Sequence, residues 1–532
     1  MSRPADRVNR PTRAWIWPLV IGLVCTLTWS SPAGADTSRA GLDDALDTIL
    51  ADPLLKGGAA GVVVADADSG TVLYQHRPDD RLMPASNTKL FTSAAAMGLL
   101  GPDYTFRTEV LSAGSRHGRV LRGDLYLRGT GDPTVLAEDY DRLAASLAES
   151  GIERVTGRLI ADDTRFDTQR VGRSWAADDE SAYYAAQISP LTLAPDTDYD
   201  AGSVIVRTTP GAAPGDRPEV TLTPSTGYLR IDNRATTGAT GSGSTLSVER
   251  QHGSNTLTVS GALPAGSSPA KEWVSVWEPT GYAASVFADA LARHGVHLGK
   301  ATRLGKATPP DARPLASHRS MPLKQLLIPF MKLSNNIHAE VLTKAIGYET
   351  AGRGTWDAGL KAISDWLKKQ GVDTGSVRQV DGSGLSRMDN IAAGRLAELL
   401  LTVRDEPWYA DWYASLPVAC APDRMVGGTL RSRMCGTPAA GNARGKTGSL
   451  TGASGLSGYV TDADGRELVY SVVTNNYLAP SVKSLEDAIV VTLAKSGADR
   501  VTAVRPKAVP SATAERGGAA DLECSWTKPR RC

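Results

Sequence analysis

The chain changes character twice along its length, and this constrains its fold more than any other feature. Residues 36–104 read as helix, strands and helix, whereas residues 105–305 are short β-like runs separated by Gly, Thr, Ser and Pro. From about 306 to 500 helices and then strands return. A chain of 532 residues is too long for one ordinary core. This order predicts a discontinuous α/β (α+β) domain, split by a β-rich insertion of about 200 residues and followed by a polar tail over 501–532.

Local patterns fill in that outline. Residues 41–55 carry Leu42, Leu46, Ile49 and Leu50 on one stripe and predict a helix ended by Gly57-Gly58. A hairpin follows, turning at Asp68-Ser69-Gly70, and then a helix from about Ser86 to Leu100. Within the insertion only YDRLAASLAESG has helical periodicity, and RATTGATGSGST (234–245) reads as a flexible loop. Four helical segments occupy 322–405, a second hairpin turns at Asp464-Gly465, and a helix follows near 482–495.

The first 35 residues predict an export signal. Arg3, Arg7, Arg10 and Arg13 precede a mostly apolar run from Ala14 to Trp29, and Ala33-Gly34-Ala35 supplies a cleavage pattern before Asp36. A retained anchor is the competing reading, because the apolar run is just long enough. Cleavage leaves 54 basic against 56 acidic side chains, which gives no footprint for nucleic acid. The remaining cysteines, Cys420, Cys435, Cys524 and Cys532, fit two disulfides in an exported chain, most simply 420–435 and 524–532. The sequence does not choose among the possible pairings. No His or Cys beside them has zinc-like spacing.

Three short motifs carry the chemistry. In Ser86-Asn87-Thr88-Lys89, Ser and Lys at i and i+3 share one face at a helix N-terminus, so the amine can reach the hydroxyl. Positive potential there favours negative charge developing at the serine. An unprotonated lysine can act as its base. Ser334-Asn335-Asn336 ends an apolar helix, offering a hydroxyl to relay a proton and an amide to hold a peptide carbonyl. Lys446-Thr447-Gly448 enters a strand, where a cation and a hydroxyl can take a carboxylate and Gly448 permits close backbone approach. Each motif alone is a common fragment. Their order, each on a suitable element, is specific.

Together they resemble the signature of penicillin-binding proteins and class A β-lactamases. Asn335 stands in place of an Asp, at the position whose side chain is expected to be least constrained. Over nearly all of residues 40–495 the chain resembles the class C low-molecular-mass penicillin-binding proteins, the D-Ala-D-Ala carboxypeptidases and endopeptidases of peptidase family S13. GDLYLRGTGDPT (123–134), GRLIADDTRFD (157–167), AAQISPLTLAPD (185–196), VDGSGLSR (380–387) and the run 428–460 look like further family landmarks.

The resemblance implies a serine β-lactamase/penicillin-binding-protein-like transpeptidase fold and an acyl-enzyme on Ser86. It makes Lys89 the base, Ser334 the proton shuttle and Lys446 its electrostatic partner. Asn336 would hold the substrate amide, and Lys446 and Thr447 its terminal carboxylate. The backbone N–H groups of Ser86 and Ser449 would form the oxyanion hole, with Gly448 between them and Thr447. Substrates would be peptidoglycan stem peptides, and β-lactams would be covalent inhibitors. No metal, nucleotide or other cofactor is expected.

Other chemistries lack their motifs. The seven histidines include no HExxH, and His294 and His297 read as a surface pair. There is no GxSxG elbow, and Gly129-Thr130-Gly131 is not a dinucleotide fingerprint. A serine β-lactamase is the alternative enzyme, disfavoured by the insertion and by the want of a clear deacylating Glu. A non-catalytic cell-wall scaffold is the alternative outside enzymes, disfavoured by three intact motifs.

Overall fold

The computed structural model describes residues 34–497, 501, 503–507 and 528. The leader through residue 33, and Cys524 and Cys532, lie outside the described residues. Among the described residues no helix is long and apolar enough to cross a membrane.

A five-stranded antiparallel sheet is built from both ends of the chain. Its order is Arg444–Leu450, Ala453–Thr461, Glu467–Asn475, Ala59–Asp66 and Val72–His76. The central Ala59–Asp66 strand is almost continuously apolar because both of its faces are covered. Period-two alternation sends Val63 into one core, and Val62 and Val64 into the other. One face packs on the Gly34–Leu50 and Lys483–Lys495 helices. The other packs on a larger helical layer that includes Thr88–Leu100, Leu323–Lys332, Asn336–Ala351 and Ala393–Thr402. Every residue from Thr88 to Met97 is buried, so that helix runs through the core instead of along its edge.

The predicted 41–55 helix is placed differently. It begins at Gly34 and stops at Leu50, and Pro53–Leu55 forms a separate 3-10 turn. Pro53 has no N–H to continue the ladder, and Asp52 Oδ1 takes the Leu54 N–H at 2.9 Å.

The intervening segment has its own hydrophobic core. Arg154–Asp162 lies near the middle of its main mixed sheet, with Leu125–Gly129, Val120–Arg122 and His297–Leu304 all paired parallel to it. Arg107–Ser112 joins Leu125–Gly129, and Arg313–Arg319 closes that edge, so this sheet draws on residues beyond 305. A second long helix, Pro279–Arg293, was not anticipated from periodicity. It opens with Pro at its first position and buries Tyr282, Phe287 and Leu291. The stretch read as a flexible loop includes a strand, Thr236–Gly238, paired with Ala262–Pro264.

The Leu323–Lys332 helix buries an amine at its last residue. Lys332 is 2% exposed and donates to the Leu416 carbonyl. Burial first, and then the Arg444 charge, push its amine down to about 7. The folded value lies below the unfolded one, so between pH 7 and about 10.5 the unfolded chain binds the extra proton. This group's cost to stability therefore fades as pH rises through that window. A Lys332→Met variant should gain most over the parent at pH 6.5–7 and progressively less toward about pH 10. Urea midpoints at both ends check this, and a pH-independent difference would contradict it.

Candidate active site

The three motifs, far apart in sequence, meet at one end of the sheet. Ser86 lies in the 3-10 turn Ala85–Asn87 that leads directly into the Thr88–Leu100 helix, and is fully buried. Ala85 before it has φ +47°, a left-handed conformation costly for a residue with a Cβ. The approach is anchored from the sheet. Asn475 accepts the Met83 N–H at 2.7 Å and donates to the Met83 carbonyl at 3.0 Å. Nothing in the sequence had marked Asn475 beyond its place at the end of an apolar strand.

Lys89 follows one turn on, also fully buried. Its Nζ lies 2.7 Å from Ser86 Oγ, 2.7 Å from Asn336 Oδ1 and 2.7 Å from the Ser383 carbonyl. The spacing of the first motif thus puts amine against hydroxyl, and the tertiary fold adds two acceptors from distant segments.

The second motif sits where two helices meet. Ser334 has φ +56° and separates Leu323–Lys332 from Asn336–Ala351. Lys446 Nζ donates to Ser334 Oγ at 2.7 Å and to the Thr447 carbonyl at 2.8 Å. Each motif serine is therefore paired with its own lysine.

Asn335 corrects the expectation of an unconstrained side chain. It is 4% exposed and caps the Asn336–Ala351 helix, its Oδ1 accepting the His338 N–H at 3.2 Å. Its Nδ2 donates to the Tyr199 carbonyl and Asp200 Oδ1, both at 3.1 Å. An amide offers acceptor and donor at once, so it can cap a helix and hold the inserted segment together. Asn336 likewise donates to the Tyr184 carbonyl at 2.9 Å. The insertion thus walls the second motif, a contact that linear spacing could not show.

The third motif runs along the edge strand Arg444–Leu450. A Cβ on Gly448 would meet the Pro84 carbonyl oxygen at 2.7 Å and Ser86 N at 3.0 Å, so only glycine lets this strand lie against the serine turn. Thr447 Oγ1 donates to Thr429 Oγ1 at 2.8 Å, and Ser449 is buried beside them. Thr429 belongs to the loop closed by the Cys420–Cys435 disulfide, whose Cα atoms are 5.0 Å apart. That bridge is the pairing proximity had suggested.

Beside Asn335 stands an acidic group absent from the sequence reading, Asp196, Asp198 and Asp200. Lys528 Nζ lies 3.2 Å from Asp198, contacts Asp200, and stands 4.5 Å from the Tyr183 ring centroid and 4.8 Å from that of Trp273. His294 caps the Pro279–Arg293 helix and meets Asp141 at 3.1 Å, while His297 is exposed on a strand.

The chemistry available is that of a buried serine hydroxyl, an amine at hydrogen-bond distance and a second Ser–Lys pair in the same cleft. Comparison with known proteins places the chain in a family. The profile of the D-Ala-D-Ala carboxypeptidase 3 (S13) family matches residues 42–496. A D-alanyl-D-alanine carboxypeptidase of Actinomadura sp. (strain R39) is 45% identical over 513 residues, covering 95% of this chain and 94% of the relative. The crystal structure of penicillin binding protein 4 (dacB) from Haemophilus influenzae matches with a TM-score of 0.71 at 25% identity, covering 81% of this chain and 93% of that one. The same protein complexed with a novel β-lactam matches with a TM-score of 0.68 at 24% identity, over 84% and 98% of the two chains. With one family profile spanning residues 42–496 and a relative 45% identical over most of both chains, the chain belongs to the D-Ala-D-Ala carboxypeptidase (S13) family of serine peptidases.

Proposed function

We propose that the protein cuts D-alanyl-D-alanine bonds of peptidoglycan stem peptides through an acyl-enzyme on Ser86, acting as a carboxypeptidase and as an endopeptidase on cross-links. The observation that carries this reading is the 2.7 Å contact between Lys89 Nζ and Ser86 Oγ inside a fully buried site. As Ser86 Oγ bonds to the carbonyl carbon of the penultimate D-Ala, its proton passes to the Lys89 amine. The Ser86 and Ser449 N–H groups receive the oxyanion, each such donor contributing roughly 3 kcal/mol in comparable sites.

Collapse of the tetrahedral intermediate requires a proton on the leaving amine. Ser334, polarised by Lys446 at 2.7 Å, relays to it the proton that Lys89 took from Ser86. Lys446 and Thr447 take the terminal carboxylate, and Asn336 takes the peptide amide. In endopeptidase action the leaving amine belongs to a cross-linking side chain, while the chemistry at Ser86 is unchanged. Water then hydrolyses the ester. A β-lactam presents the same carbonyl and carboxylate, so it acylates Ser86 and leaves slowly. The Arg-rich leader followed by Ala33-Gly34-Ala35 supports export to the cell-wall side of the membrane.

A Ser86→Ala protein should release no D-Ala and form no adduct with benzylpenicillin. Intact-mass measurement with peptide mapping reads both, and an adduct that survives the substitution would overturn the assignment. Gly448→Ala should leave the fold intact yet slow acylation on the order of 10²-fold, because the added methyl parts the edge strand from the serine turn and withdraws the Ser449 N–H. Acylation rates alongside a thermal melt test this. An unchanged rate would remove Ser449 from the oxyanion hole.

A further inference from the structure

Lys89 makes a contact that the Ser–Lys chemistry does not require. Its Nζ donates to the Ser383 carbonyl, in the VDGSGLSR loop that sequence alone marked only as a landmark. The peptide group joining Ser383 to Gly384 is held at both ends. Its carbonyl takes Lys89 at 2.7 Å, and its N–H donates to Asp381 Oδ1 at 2.7 Å. Asp381 is fully buried, and its Oδ2 accepts the Ser386 N–H at 2.7 Å and Trp175 Nε1 at 2.9 Å.

Two further buried carboxyls lock the same loop. Glu340 accepts the Gly382 and Ser383 N–H groups, each at 2.8 Å, and Trp356 Nε1 at 2.7 Å. Asp389 accepts the Val380 N–H at 2.6 Å. The loop can lie here only because Gly384 has φ +79° and no Cβ, since a Cβ would meet the Ala85 carbonyl oxygen at 1.9 Å. Burial, and then the Asp381 charge, raise both Glu340 and Asp389 toward their protonated forms. Of these carboxyls, Asp381 takes the N–H of the peptide group whose carbonyl receives Lys89.

We infer that Asp381 is a positioning residue for Lys89, acting through the Ser383–Gly384 peptide. This rests on Lys89 being the base that activates Ser86. A neutral amine has two N–H bonds and one lone pair. With Asn336 Oδ1 and the Ser383 carbonyl accepting its two N–H bonds, the amine can turn its lone pair to the Ser86 hydroxyl 2.7 Å away. As the Ser86 proton moves to the amine and Oγ bonds to the carbonyl carbon, the ammonium gains its third donor. The Ser383 carbonyl, polarised through the peptide N–H that Asp381 accepts, stabilises that charge. The relation parallels that of the acid to the histidine in a Ser-His-Asp triad, with a peptide group inserted between them.

Other charged groups near this arrangement include Lys446 on the neighbouring edge strand and Lys344, one turn beyond Glu340 on the Asn336–Ala351 helix. Lys344 is over the Trp356 ring and paired with Asp167. Trp175 comes from the insertion, so the inserted segment reaches the base through Asp381.

The test is the pH dependence of benzylpenicillin acylation in Asp381→Asn, with folding followed by thermal melt. The rate should fall roughly 10–100-fold, less than the loss when a general base is removed outright. The acidic limb of the profile should move to lower pH, because the ammonium form loses its stabilising charge. A fall in rate with the limb unmoved would make Asp381 merely structural, and an unchanged rate would remove it altogether. Should the variant not fold, the unmodified protein with 15N-glycine gives an independent reading. The Gly384 amide proton should titrate with the midpoint of the acidic limb, and a resonance indifferent to pH there would overturn the inference. Lys89→Ala run in parallel separates the two readings. Acylation at the parent rate in that variant would remove Lys89 as base, whatever Asp381 does.

Discussion

The structure depends on holding an amine, out of water, against a serine hydroxyl. Lys89 is fully buried, and an amine removed from water is costly unless its polar bonds are met. Three of its partners come from three places: the turn before its own helix, the start of the Asn336–Ala351 helix, and the loop after residue 380. None of these can shift without uncovering a donor. The fold must therefore bring both halves of the discontinuous domain together before the site exists, and the sheet that runs from Val72–His76 to Arg444–Leu450 does this.

The inserted segment takes part in that constraint. Its backbone carbonyls at Tyr184 and Tyr199 receive the two asparagine side chains of the second motif, and its Trp175 donates to Asp381. Those bonds fix groups that themselves touch Lys89 or cap the helix beside it. A β-rich body with its own core thus also forms one wall of the cleft. The left-handed backbone at Ala85 and Ser334 follows from the same demand. Both residues lie in the turn that leads a motif serine into the following helix, and the surrounding hydrogen bonds hold that strain in place.

The legible parts of the sequence were those governed by local rules. The Ser86–Lys89 contact follows from i, i+3 geometry, the Ala59–Asp66 strand from an apolar run bounded by turn residues, and the Cys420–Cys435 bridge from proximity. Where local signals failed, a tertiary demand had replaced them. Asn335 looked free because its partners, Tyr199 and Asp200, are far away in the chain. The Pro279–Arg293 helix escaped notice because burial around most of its circumference blurs the amphipathic stripe. The 234–245 stretch reads as loop because Gly and Ser carry no strand pattern, yet a parallel partner at Ala262–Pro264 orders part of it.

By itself, the sequence determined which groups the chemistry has: a serine and lysine one helical turn apart, a second serine before an asparagine pair, and a lysine entering a glycine-containing strand. It also pointed to a change of character over residues 105–305, although the sheet of that segment continues to Arg319. Tertiary structure alone decided the partners. That Lys446 meets Ser334, that Gly448 lies against the serine turn, and that a buried carboxylate reaches Lys89 through one peptide group are long-range matters. Local propensity constrains the backbone over a few residues, whereas these contacts are set by the packing of two hydrophobic cores and by the need to satisfy every buried donor.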